Sequence, residues 1–131
     1  MRVLPDTSIW VEYLRHGAEG AAWELDGLLE RDAVVVCGPV VAELLTGANL
    51  SNRGALWRML RGMSWTPLGP DEWGRVGEVC GLLRERGQTV PLTDVCIAVS
   101  AIAGDATLWT ADADFARIEA VAGDLRRYRA G

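Results

Sequence analysis

Asp6, Glu43, Asp94, Asp112 and Asp114 each fall at or just beyond the point where a short apolar run gives way to an amphipathic segment. Their frames are apolar: Val40-Val41-Ala42-Glu43-Leu44-Leu45 and Val90-Pro91-Leu92-Thr93-Asp94-Val95-Cys96-Ile97 are two of them. A charge buried in such a frame without a partner is costly, and carboxylates brought together raise one another's pKa unless a cation is present. Hard divalent ions take oxygen ligands, and Mg²⁺ is held by a few carboxylates while keeping several waters. The pattern therefore suggests a site for Mg²⁺ or Mn²⁺, one or two ions. Such a site polarises a phosphoryl oxygen and lowers the pKa of a bound water, and two ions about 3.5–4 Å apart stabilise attacking and leaving oxygens together. No covalent nucleophile is needed, which suits a chain whose only histidine, His16, lies in a glycine-rich turn. Two structural explanations compete. Helix capping accounts for Asp6, Asp94 and Asp112 but less well for Glu43, and no arginine is close in sequence to Glu43 or Asp94.

To meet, these residues need elements that end on one edge. Short apolar runs predict strands at 2–5, 33–37, 65–68 and 107–110, and a weaker one at 125–128. Amphipathic spacing predicts helices over 7–15, 18–31, 39–48, 52–63, 71–86, 94–103 and 112–121. Pro39 suits a first helical position, Ser51 and Thr93 are expected as caps, and Asp71 and Glu72 follow Pro70 at a helix start. Strands alternating with helices imply a parallel sheet covered on both faces. In such a sheet, sites lie beyond the carboxyl ends of the strands. Asp6, Glu43 and Asp112 with Asp114 fall there directly. The apolar face Val95, Ala98, Val99 and Ile102 would bury the next helix so that Asp94, in its first turn, reaches the same rim.

The 131 residues at 50% hydrophobic and 24% charged fit one α/β domain spanning 1–131. The net charge of −5 argues against nucleic-acid binding by bulk positive charge, although two divalent ions would bring it to about −1. All thirteen basic residues are arginine. The absence of lysine excludes a P-loop and Schiff-base chemistry. Cys37, Cys80 and Cys96 are widely spaced, form no metal or redox motif, and are expected as buried small hydrophobes of a reducing compartment. Pro5 and Asp6 interrupt any signal-like run and no apolar stretch is long enough to span a bilayer, so a cytoplasmic protein without membrane contact is expected.

Four segments in order carry a family resemblance: Leu4-Pro5-Asp6-Thr7-Ser8, Pro39-Val40-Val41-Ala42-Glu43-Leu44, Thr93-Asp94 with Ile97-Ala98, and Leu108-Trp109-Thr110-Ala111-Asp112-Ala113-Asp114-Phe115. Together they resemble PIN-domain ribonucleases, and among these the VapC toxins of VapBC toxin–antitoxin pairs. The resemblance implies a parallel sheet of about five strands in the order 3-2-1-4-5 with helices on both faces. It assigns Asp6, Glu43, Asp94 and Asp112 to the catalytic metal site, with Asp114 as a fifth member and Thr7, Ser8 and Thr110 as supporting hydroxyls. It implies metal-assisted hydrolysis of RNA, with tRNA or ribosomal RNA as the substrate class, by a toxin that inhibits translation and growth. It further implies a homodimer, a VapB-like antitoxin, and contact with DNA only through that antitoxin.

Six tryptophans are more than a small core requires. Trp10, Tyr13 and Leu14, together with Leu56, Trp57 and Leu60, are the candidates for an apolar groove that an antitoxin segment fills. Arg53, Arg58 and Arg61, and secondly Arg126, Arg127 and Arg129, are the candidates for phosphate contact. Two alternatives remain. A PIN-like module could bind RNA or protein without cutting. A receiver or haloacid-dehalogenase-like domain also crowds acidic residues at strand ends, but usually needs a lysine.

Overall fold

The computed structural model describes residues 1–129. Its strands are β1 (Val3–Pro5), β2 (Val35–Val36), β3 (Ser64–Trp65) and β4 (Thr107–Trp109). Its helices are α1 (Thr7–His16), α2 (Glu24–Glu30), α3 (Gly38–Gly47), α4 (Leu50–Arg61), α5 (Pro70–Glu85), α6 (Leu92–Ala103) and α7 (Asp114–Val121). β1 pairs in parallel with β4, and β2 with β3. Parallel bridges Val3↔Val34 and Leu108↔Arg127 join these pairs to each other and to a fifth segment. The order across the molecule is therefore β3-β2-β1-β4 and then the segment at Arg127, the expected 3-2-1-4-5.

Both residues of β2 and all three of β1 are buried. Because successive strand side chains point to opposite faces, helices must cover both. One group of helices packs α1 against α3 and α3 against α4; another packs α5 against α6 and α7. Helix α6 supplies an unbroken buried run, Val95–Ala101, which is how a helix in the middle of the core reads.

Several expected boundaries move for local reasons. The helix expected over 18–31 reduces to α2, because Gly17 takes a positive φ of 56° and the chain turns through a single 3₁₀ turn, Gly17–Glu19. Asn49, not Ser51, caps α4: its side chain accepts from the Asn52 N–H at 3.1 Å, and Ser51 donates to the same oxygen. Thr93 lies inside α6, which Pro91 precedes. Strand β3 begins earlier than expected and is only two residues long. α7 starts at Asp114 rather than at 112.

The buried hydroxyls Thr66 and Ser100 are paired. Thr66 and Ser100 share a hydroxyl contact of 2.7 Å, and Ser100 donates to the Pro67 carbonyl at 2.7 Å. This pins β3's continuation onto α6. Gly104, at the end of α6, makes room for that contact: a Cβ there would lie 2.4 Å from Thr66 Cγ2 and 2.7 Å from Thr66 Cβ. Since the Thr66 hydroxyl is committed, the clash has no cheap relief. Gly104→Ala is expected to destabilise the fold by about 1–3 kcal/mol in urea unfolding. An unchanged midpoint would show that the two elements slide apart freely.

Candidate active site

Asp6 leaves β1 and caps α1, so the register of the first strand fixes its place. It is only 4% exposed, and both carboxylate oxygens are used. Oδ1 accepts from the Ser8 hydroxyl at 2.5 Å and from the Ile9 N–H at 3.2 Å. Oδ2 accepts from the Thr110 hydroxyl, and Thr110 Oγ1 in turn accepts the Asp112 N–H at 2.9 Å. One hydroxyl thus ties the end of β1 to the loop after β4. Asp112 Oδ1 accepts the Asp114 N–H at 2.9 Å, which sets the loop's turn into α7.

Glu43 stands on α3 with its carboxylate exposed. Thr7 Oγ1 donates to Glu43 Oε1 at 2.6 Å, linking α1 to α3 across the rim. Asp94 lies in the first turn of α6 and is partly buried. Ligand atoms of Asp94, Asp112 and Asp114 all lie within 4.8 Å of one another. The Asp94 carboxyl is pushed up to about 6, chiefly by burial and then by the negative charges of Asp112, Asp114, Glu43 and Asp6. Asp94, Asp112 and Asp114 thus form the close group, while Asp6, tied to Asp112 through Thr110, and Glu43 stand outside that spacing and act on Asp94 only as neighbouring charges.

Among the described residues one guanidinium is paired with this group: Arg117 reaches Asp114 Oδ1 at 3.4 Å, one helical turn along α7. The sequence holds the signal for it, an acid and an arginine spaced i,i+3. Cys37 is buried nearby and its thiol is pushed up to about 12, mainly by burial. Burial also raises the thiol of Cys96. Both behave as the inert small hydrophobes expected of them.

The apolar residues expected at a groove divide. Trp10 and Leu60 are fully buried, so they belong to the core rather than to a surface; Trp10 Nε1 has no hydrogen-bond partner among the described residues. Tyr13 turns toward α2, donating to Asp26 at 2.7 Å. Helical periodicity marks these positions as apolar but not which neighbour they meet. Leu14 and Leu56 do line an open groove of about 570 Å³ between α1, α3 and α4, with Val11, Leu44, Ala55 and Met59. Trp57 lines a separate depression with Leu45 and Leu50 and meets Trp65 edge to face.

The expected phosphate contacts are also displaced. Arg53 donates to the Leu45 and Ala48 carbonyls at 3.0 and 3.1 Å, closing the end of α3. Arg58 and Arg61 occupy the last turn of α4, which leads into the start of β3, at the edge opposite the strand ends. Arg126 pairs with Asp105 at 2.5 Å, ahead of β4 on that same edge, and Arg127 forms the bridge to Leu108.

Comparison with known proteins places this architecture. Residues 3–121 match the PIN domain, and the chain belongs to that family. Its relatives include the VapC ribonuclease Mb1587 of Mycobacterium bovis and ribonuclease VapC11 of Mycobacterium tuberculosis. Each is 35% identical over 120 residues, covering 86% of this chain and 88% of the relative. Among solved structures, VapBC2 from Rickettsia felis bound to a promoter DNA fragment superposes with a TM-score of 0.77 at 22% identity, covering 98% of each chain. VapBC-1 from nontypeable Haemophilus influenzae gives 0.73 at 20% identity, covering 98% of this chain and 97% of the other. No helix is long and apolar enough to cross a membrane among the described residues.

The raised Asp94 value has a measurable consequence. Between roughly pH 4 and 6 the folded chain holds more protons at Asp94 than the unfolded chain does, so stability from this group falls as pH rises through that window. In chelator-treated protein, Asp94→Asn is expected to remove this part of the slope and to raise the melting temperature at pH 7. Parallel melting curves for the two proteins across that window would contradict the placement of Asp94 among like charges.

Proposed function

We propose that this chain is a Mg²⁺- or Mn²⁺-dependent endoribonuclease, the toxin of a toxin–antitoxin pair, acting in the cytoplasm to inhibit translation and growth. The observation that carries the reading is the cluster of Asp94, Asp112 and Asp114, whose ligand atoms lie within 4.8 Å of one another, within a chain 35% identical to VapC ribonucleases. An all-oxygen donor set with spare negative charge fits a hard divalent ion. Asp6, Glu43, Asp94 and Asp112 would hold it, with Asp114 as a further ligand. When bound, the ion lowers the pKa of a coordinated water and polarises the phosphoryl oxygen.

The chain's own part is positioning. Ser8, Thr110 and the Ile9 N–H hold Asp6 in one rotamer, and Thr7 holds Glu43. These hydrogen bonds are made before substrate arrives, so little reorganisation is needed in the reaction. RNA, in the form of tRNA or ribosomal RNA, is the proposed substrate class. In a homologous pair the antitoxin's apolar side chains would fill the groove beside Leu14 and Leu56 and its arginine would enter the acidic site. A homodimer of the toxin, touching DNA only through the antitoxin, completes the proposal.

Expression of the wild type beside Asp6→Asn and Asp94→Asn tests the reaction. The wild type is expected to arrest growth and to cut RNA with Mg²⁺ but not with EDTA, and each variant to lose at least about 100-fold in rate. Equal cleavage by all three would reject the site, and binding without cleavage by the wild type would favour a non-catalytic RNA-binding module. The groove has its own test. Leu14→Asp combined with Leu56→Asp is expected to abolish co-purification with a co-expressed VapB-like antitoxin while leaving RNA cleavage intact. Undiminished co-purification would place the antitoxin elsewhere.

A further inference from the structure

An RNA phosphate approaching five carboxylates meets repulsion, and the arginines with the strongest sequence claim to offset it are committed elsewhere or lie at the far edge of the sheet. Three ion pairs occur among the described residues, and only Arg117–Asp114 involves a carboxylate of the acidic group. Its geometry is that of a loose contact. A single nitrogen reaches a single oxygen at 3.4 Å, and the two side chains are 51% and 33% exposed. Such a pair contributes little in water and is easily exchanged for another partner. Asp114 is at the same time one of the three carboxylates within 4.8 Å of each other. A cation drawn into that triad would compete directly with the guanidinium for Asp114.

We propose that Arg117 is the substrate-phosphate contact of this site, parked on Asp114 in the metal-free protein and released toward the RNA backbone when Asp114 turns to a metal ion. This rests on the ribonuclease reading above. The position fits: α7 starts beside the acidic loop, and the arginine lies one turn in, on the side that Asp114 faces. A guanidinium can donate two parallel hydrogen bonds to a phosphate, which a single 3.4 Å contact to Asp114 leaves unused. Loading the site and exposing its phosphate donor are thereby one event, so RNA is held best where the reaction can proceed.

The test compares wild type, Arg117→Gln, Arg117→Lys and, at the opposite edge, Arg58→Gln. Fluorescein-labelled bulk tRNA is titrated by anisotropy in Ca²⁺ over a range of KCl, cleavage kinetics are measured in Mg²⁺, and Mn²⁺ uptake is followed by calorimetry. Arg117→Gln is expected to raise KM about 5–10-fold with kcat within about twofold, and to reduce the salt slope of binding by about one phosphate contact. Arg117→Lys is expected to keep the slope, and Arg58→Gln to behave as wild type. Mn²⁺ affinity of Arg117→Gln is expected to be no weaker than wild type. Unchanged slope and KM in Arg117→Gln would overturn the proposal, as would a loss of Mn²⁺ affinity that accounts for the weaker RNA binding, since the arginine would then only shape Asp114. A wild type that neither binds nor cuts RNA would instead bring down the ribonuclease reading itself.

Discussion

Mutual repulsion among carboxylates at the end of a parallel sheet is the constraint around which the rest of the molecule is arranged. Asp94 shows it directly: burial and four like charges push its carboxyl up to about 6. Concentrating charge in this way costs stability, a cost that a bound cation would offset. The fold spends its local hydrogen bonds accordingly. Ser8, Thr110 and a backbone amide hydrogen-bond and orient Asp6, while Thr7 steadies Glu43. Asp94 sits in the first turn of α6, where the helix start favours its charge.

The core explains how residues so far apart in the chain come to one place. Parallel pairing of β1 with β4 places Pro5 opposite Trp109, so Asp6 and Thr110 leave the sheet side by side. The Asp6 N–H, bonded to the Trp109 carbonyl at 2.9 Å, continues that ladder to the edge of the site. α6, buried along most of its length, has little freedom to rotate, and its first turn therefore delivers Asp94 to a fixed spot. Packing precision at the centre becomes positional precision at the rim, where the proposed metal site would need it.

Much of this was legible in the residues. The placement of the five carboxylates on one edge could be read because an acid just after an apolar run has a predictable position once the sheet is parallel, whereas the strand order came only with the resemblance to PIN-domain proteins. The groove was legible only in part. Leu14 and Leu56 line it, but Trp10 and Leu60 vanished into the core and Tyr13 faces α2, because apolar periodicity does not distinguish among several apolar neighbours. The arginines were the hardest to place. Their partners are set by tertiary geometry: Arg53 closes the end of another helix, and Arg126 finds Asp105, which lies on the far side of β4 and α7 in the chain. Arg117, the one guanidinium paired with the acidic group among the described residues, has an i,i+3 spacing from Asp114 that marks the pair in the sequence but says nothing of its place in the site.

The account stands on the carboxylates' demand for a cation, and calorimetric titration of chelator-treated protein with Mn²⁺ at pH 7 measures that demand most directly. The wild type should take up at least one ion with saturable heat, and Asp94→Asn should lose most of that affinity while remaining folded. Absence of uptake by a folded wild type, or uptake that survives unchanged in Asp94→Asn, would contradict it.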